Sequence, residues 1–296
     1  MNEFNEMIKK IGEELEIHVT LLSDNWTKVL EKGNKIHYIT GYIFDLNNHC
    51  IGNIMDDKGL FYDLLKYKNI PIIEQCVIFN NYDKDKVLSY FNSHNQEVVV
   101  KANISNAGKD VYKITNEIEL FSVIDRLLLS QFSVSICPYY HIKNEFRVII
   151  LNNEVRCIFG KIKPFVVGDG NKTILELAKE YNDYYKKHEE KIENPNYIPN
   201  KDEKVELSFK FNLSSGATTF TDIEDNLKNK IINLALKVTN ELNISFASVD
   251  IILVDDELLV METNSGVTLN NYILQNKNGY KIAYNIYKDA IRDMFK

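Results

Sequence analysis

Cysteine is scarce and scattered. The four thiols, Cys50, Cys76, Cys137 and Cys157, form no C-x-x-C pair. That excludes a zinc ribbon or a disulfide framework and reads as reduced thiols packed in the core. The six histidines make no H-E-x-x-H spacing, so zinc-peptidase chemistry has no support. No apolar run approaches the ~18 residues that cross a bilayer, and Met1-Asn2-Glu3 does not read as a signal peptide. The expectation is a cytoplasmic protein with no membrane partner. A basic surplus is missing too: 35 Lys and Arg stand against 42 Asp and Glu, a net charge of −7. This argues against a nucleic-acid surface, though not against a phosphate ligand. There is no G-x-S-x-G elbow and no motif that sets a histidine beside a cysteine, so covalent enzyme catalysis has little support. No internal repeat is present.

What remains is an ordinary globular composition, 45% hydrophobic and 26% charged over 296 residues. That length accommodates two or three subdomains with their own cores. Phe4, Met7, Ile8, Ile11 and Leu15 recur at helical spacing, predicting a helix over 3–15. Strands are expected at 17–22, 26–30 and 35–43, the last two around a turn at 31–34. Asp56-Asp57-Lys58 opens a helix that Asn69-Ile70-Pro71 ends. Residues 1–71 thus form a small α/β domain. Between 72 and 141 come a helix (83–93), a strand ending in Lys101 (97–101), a polar turn (103–109), a strand (111–114), a helix (118–129) and a strand (132–136). From 142 to 296 the pattern gives strands at 146–151 and 155–159 and a helix at 174–181. A charged, Tyr- and Asn-rich loop at 182–203 follows, expected to be mobile like the turn 103–109. Then come a strand at 204–211 and helices at 227–242 and 281–295. The fold class is α+β with α/β character.

The residues that gather chemistry lie in 248–266. Two apolar runs flank a short acidic turn and read as a β-hairpin. Asp250 opens it; Glu262 and Asn264 close it on one face, two residues apart. A three-residue turn sets Asp250 directly across from Glu262, on the same face. A two-residue turn sends Asp250 to the other face unless a bulge restores it. Clustered carboxylates need a compensating cation, and oxygen donors alone select a hard ion, Mg²⁺ or Mn²⁺. A solvated hairpin with three unrelated polar residues fits the same pattern.

Other polar residues stay open in the same way. Lys101 ends a Val-Val-Val strand beside a Ser/Asn/Gly turn, yet no H-R-D or D-F-G follows, so it is not a protein-kinase lysine. It reads either as a phosphate ligand or as a solvated edge residue. Lys210 and Asn212 alternate along a strand and share a face, toward a phosphate or toward solvent. Residues 168–173 lack the Gly-Lys step of a Walker A loop and a third glycine, and read as a tight turn. His141 reads as a packing or surface residue.

Taken in this order, the pieces resemble the ATP-grasp superfamily. Within it they are most similar to cyanophycin synthetase, the glutathione synthetases and the ribosomal-protein S6 glutamate ligases. The resemblance covers about residues 57–271. It rests on Asp57-Lys58, Val99-Val100-Lys101, Pro138-Tyr139-Tyr140, Glu145-Phe146-Arg147-Val148, the 166–177 segment, Lys210-Phe211-Asn212-Leu213-Ser214-Ser215-Gly216, and the Asp250 and Glu262-Thr263-Asn264 pair. It implies an ATP-grasp fold: an N-terminal α/β domain (1–71), a small subdomain (72–141) and a large one (142–296), with nucleotide bound between the last two. It further implies that Lys58 and Lys101 hold phosphates, that Ser105 and Lys161 bind the nucleotide, that Pro138, Tyr139 and Tyr140 meet adenine, and that Glu145 holds ribose. Lys210, Asn212 and Arg147 would act at the γ-phosphate, and Asp250, Glu262 and Asn264 would bind Mg²⁺. Two positions depart from the pattern: the usual hinge acid is Cys137, and the arginine that some relatives carry two residues before the metal aspartate is Ser248. The implied activity is ATP-dependent ligation of a carboxylate to an amine through an acyl phosphate, with small-molecule or peptide substrates and a homodimer left open. A non-catalytic nucleotide module and a small-molecule kinase on the same fold are the alternatives.

Overall fold

The computed structural model describes residues 2–105 and 110–296. Residues 106–109 of the turn expected at 103–109 lie outside the described residues. Helix α1 (Asn2–Leu15) leads into strands β1 (His18–Leu21), β2 (Thr27–Lys32), β3 (Lys35–Thr40) and β4 (Ile43–Phe44). Helices α2 (His49–Asp56) and α3 (Lys58–Tyr67) follow, then β5 (Cys76–Phe79), α4 (Lys84–Ser93), β6 (Val98–Ala102), β7 (Val111–Ile114), α5 (Glu117–Leu128) and β8 (Ser133–Pro138). Next come β9 (Asn144–Leu151), β10 (Glu154–Ile162), β11 (Phe165–Val167), α6 (Ile174–Tyr181), α7 (Asp183–Lys187), β12 (Lys204–Glu206) and β13 (Thr218–Phe220). The chain closes with α8 (Asp225–Leu242), β14 (Phe246–Val254), β15 (Glu257–Asn264), α9 (Asn270–Gln275) and α10 (Gly279–Met294). It divides into two compact units: 1–158 with 224–296, and 159–223.

In the first unit, β1 to β4 form a sheet in sequence order. The buried stripe of α1 (Phe4, Met7, Ile8, Ile11) matches its helical spacing, and α1 packs on β1 and α10. This N-terminal part is tied to the end of β15, where Val267 N–H donates to Tyr42 O, and to the start of β14, where Asn47 Oδ1 accepts from the N–H groups of Ser245 and Phe246.

A second sheet has the order β5-β8-β6-β7. Strand alternation sorts its two faces. Val98, Val100, Ile114, Val134 and Ile136 meet the buried sides of α4 and α5 in one core. The opposite face carries Val99, Lys101, Ser135, Cys137 and Val77, which the register sets side by side. The core therefore fixes which way Lys101 points.

In the third sheet β14 lies between β9 and β15, and every residue of β14 is buried. Helix α8 packs on β9, β14 and β15. The β14–β15 turn has two residues, Asp255 and Asp256, both at positive φ (47° and 65°), the geometry of a type I′ hairpin. By itself that length would turn Asp250 away from Glu262. The register shifts by one between Asp250 and Ile251, leaving Met261 as the extra residue, and Asp250 again pairs with Glu262.

The second unit is described by itself. The end of β10 pairs with β13, β11 pairs with β12, and a core of Val166, Ile174, Ala178, Tyr185, Ile192 and Leu207 joins them to α6. Thr173 and Glu176 form a reciprocal capping box at the start of α6. Asp169 Oδ1 accepts from the N–H groups of Asn171 and Lys172, so 168–173 is the expected tight turn. Two expectations fail here. Residues 182–203 are not a bare exposed loop: they contain α7, Tyr185 and Ile192 are buried, and Tyr185 Oη donates to Ser215 O. Tyrosine, counted as polar in the sequence reading, supplies the anchoring. Strand β12 stops at Glu206, so 207–211 lies outside a ladder, with bends at Leu207 and Phe209.

Candidate active site

Three strands of the first unit line up their polar residues. Arg147 on β9 is opposite Asp250 on β14, which is opposite Glu262 on β15. Directly opposed residues share a face, and so do Glu262 and Asn264. Asn264 Nδ2 donates to Glu262 Oε1 at 3.2 Å, which places both side chains together. Arg147 forks onto Asp250: Nε donates to Oδ1 at 2.7 Å and Nη2 to Oδ2 at 2.6 Å. Asp250 is 1% exposed and Arg147 16%. Burial alone would lower the Arg147 pKa, but the Asp250 charge and hydrogen bonds raise it, helped by Glu262 and Glu145. Glu145, also on β9 and two residues before Arg147, is buried.

Lys58 sits at the start of α3. Asp57 caps the helix by accepting from Leu60 N–H, and Gly59 lies where any Cβ would collide with the Val77 side chain. The helix start is thereby pressed onto the Lys101 face of the second sheet. Lys58 Nζ donates to Asn103 O and Ser105 O, both at 3.1 Å. Buried Asn103 accepts from Gly59 N–H and donates to Ser133 Oγ, clasping the chain just past β6 to α3 and β8. Burial, and after it the Lys101 charge, bring the Lys58 pKa down to about 8 against the opposing charges of Glu262, Asp56 and Asp57. Lys58, Lys101 and Glu262 are therefore electrostatic neighbours.

The Lys58 value has a testable consequence. If its ammonium binds phosphate, affinity for an ATP analogue falls as pH rises past about 8, where the free protein loses that proton. With one linked proton, a shift from pH 7 to 9 weakens binding about tenfold. Calorimetric titration at both pH values reads it, and Lys58→Met should bind weakly with a flat profile. A wild-type profile without slope removes Lys58 from the phosphate site.

At the expected hinge, Tyr139 N–H donates to Glu97 O at 3.0 Å, Lys113 Nζ lies 3.7 Å from the Tyr139 ring centroid, and Tyr140 Oη accepts from Glu74 N–H at 3.0 Å. Pro138 ends β8. Cys137 is buried, and burial raises its thiol pKa. Sequence reasoning missed Asn103 and the buried Gln75–Ser135 hydrogen bond on the Lys101 face. Neither lies in a local pattern, since each is set by strand pairing.

In the second unit, Lys161 is buried on β10 opposite Thr219. Lys210 and Asn212 flank buried Phe211, outside the strand expected there. Asn212 Oδ1 accepts from Ser214 N–H and caps a short 3₁₀ turn.

Asp250, Glu262 and Asn264 offer oxygen donors on one face, the chemistry that suits Mg²⁺ or Mn²⁺. Among the described residues no three His, Cys, Asp or Glu side chains converge as a metal-holding group. Among the same residues, no helix is long and apolar enough to cross a membrane.

Comparison with known proteins bears on the fold. Among solved structures, a bifunctional glutathione synthetase from Pasteurella multocida is similar at TM-score 0.54 and 18% identity, over 92% of this chain and 42% of that one. A D-alanine–D-alanine ligase from Bacillus anthracis matches at TM-score 0.55 and 16% identity, over 81% and 69%. The same ligase complexed with ATP matches at 0.53 and 16%, over 81% and 67%. No curated protein sequence is a significant match. The fold is ATP-grasp. More narrowly, residues 201–289 match the family described as RimK-like ATP-grasp domain. The chain spans less than half the length of the glutathione synthetase.

Proposed function

We propose that the protein is an ATP-dependent carboxylate–amine ligase that forms an amide or peptide bond and releases ADP and phosphate. The observation that carries this reading is the convergence of Lys58 and Lys101 with the Asp250–Glu262–Asn264 face in one unit. The ATP-grasp fold and the RimK-like match support it.

In this reading Lys58, Lys101 and Ser105 hold the nucleotide phosphates, and Pro138, Tyr139, Tyr140 and Glu145 hold the adenosine. Fixed ammonium groups in a partly buried site stabilise transferring phosphoryl charge without reorganising. Lys210, Asn212, Lys161 and Arg147 add donors at the γ-phosphate. Asp250, Glu262 and Asn264 would bind Mg²⁺, which supplies charge neutralisation at the β- and γ-phosphates. The protein contributes position and charge, and the chemistry needs no enzyme nucleophile: a substrate carboxylate takes the phosphoryl group, and an amine then displaces phosphate. The substrates would be a small-molecule or peptide acid and an amine. The three-part division at residues 71 and 141 belongs to the same proposal.

Hydroxylamine tests it. With a panel of carboxylic acids, Mg²⁺ and ATP, it should replace the amine and trap the activated acid as a hydroxamate, with ADP as coproduct. ADP release that needs an acid but yields no hydroxamate points instead to a small-molecule kinase. AMP and pyrophosphate as products overturn the reading.

A further inference from the structure

We propose that Arg147 is the resident counter-cation of the metal site, and that a divalent ion gains Asp250 only when a nucleotide draws the guanidinium away. The inference rests on the ligase reading and concerns how its metal site fills.

Arg147, Asp250 and Glu262 are opposed on three adjacent strands. The guanidinium fork occupies both Asp250 oxygens, at 2.7 and 2.6 Å. Asp250 is 1% exposed, so an incoming ion does not reach its carboxylate while the fork is in place. Glu262 acts on both Arg147 and Lys58, and Glu145 acts on Arg147. The negative charge that would attract a cation is thus met by the protein's own cations.

A bare divalent ion is poorly equipped to break this arrangement. It must shed water, displace a two-point charge-assisted hydrogen bond, and leave the guanidinium with no oxygen in return. A triphosphate changes the balance. Its oxygens accept the same fork geometry that Asp250 accepts, and its charge favours both the arginine and the metal. Arg147 can then pass from carboxylate to phosphate while the ion takes the carboxylate. Metal and nucleotide become reciprocally coupled ligands.

The test is Mn²⁺ binding to the full chain, read as loss of the free-ion EPR signal, with and without a non-hydrolysable ATP analogue. An Asp250→Asn control corrects for ion held by the analogue alone. Wild-type protein should bind Mn²⁺ at least about tenfold more tightly with the analogue than without it. Arg147→Met should bind Mn²⁺ without nucleotide at least about tenfold more tightly than wild type, and Mn²⁺ alone should raise its melting temperature but not that of wild type. Arg147→Lys keeps the charge but loses the fork; it should gain affinity in the same direction, and it carries the test if Arg147→Met does not fold. Nucleotide-dependent Mn²⁺ binding in wild type, with no gain in either variant, overturns this proposal and leaves the ligase reading standing. No Mn²⁺ uptake by wild type with the analogue present overturns both.

Discussion

Glu262→Gln is expected to lower ATP turnover by roughly a hundredfold or more. Glutamine keeps the length and shape of the side chain, and its amide oxygen can still accept from Asn264 Nδ2 as Glu262 does now. What it loses is one negative charge on the face shared with Asp250. The melting temperature should move by no more than about 3 °C, since no packing changes and no buried group loses a hydrogen-bond partner. ADP release in a coupled assay, beside a thermal scan, separates the two effects. Turnover within about threefold of wild type would remove Glu262 from the metal site, because losing even an outer-shell partner of a bound metal typically costs more.

Arg147→Leu is expected to lower the unfolding free energy by about 3 kcal/mol or more. The pair is well shielded, with Asp250 1% and Arg147 16% exposed, so solvent screens it far less than a surface pair. The leucine variant leaves a carboxylate in the sheet interior without its bidentate donor, a cost paired removal avoids. Arg147→Leu with Asp250→Asn should therefore recover much of the loss, giving a coupling term in a double-mutant cycle. Urea titration of the four proteins measures it. A single-variant loss below about 1 kcal/mol would mean the pair behaves like an exposed one.

The contrast between Glu262 and Arg147 shows what the chain disclosed and what it did not. The β14–β15 hairpin was readable from two apolar runs and an acidic break, and the amphipathic pattern of α1 and the capped start of α3 were equally plain. The face of Asp250 was not, because it depends on whether Met261 pairs or bulges. Turn length alone gave the wrong parity, and the bulge restored it. The Arg147–Asp250 fork joins residues 103 positions apart, and only the β9–β14 register brings them together. That pairing also shifts the electrostatic argument, since the carboxylates have protein cations beside them before any ion binds. Residues 182–203 were misread for a different reason: a polarity count treats Tyr185 as solvated, whereas it is nearly fully buried with its hydroxyl satisfied by a backbone carbonyl.

The stitching between the first 47 residues and the ends of β14 and β15 bears on how far this chain is modular. Asn47 serves as a substitute neighbour for the opening amides of β14, and the carbonyl of Tyr42 does the same for Val267, just past the Glu262–Asn264 strand end. A cut near residue 71 would look natural on a linear map. It would also strip α1 from α10 and uncover Phe246, whose ring now meets that of Phe44. The N-terminal segment is therefore structural scaffolding for β14 and β15. A graft that exchanges it must carry residues 42–47, or supply equivalent acceptors, to keep the ends of β14 and β15 intact.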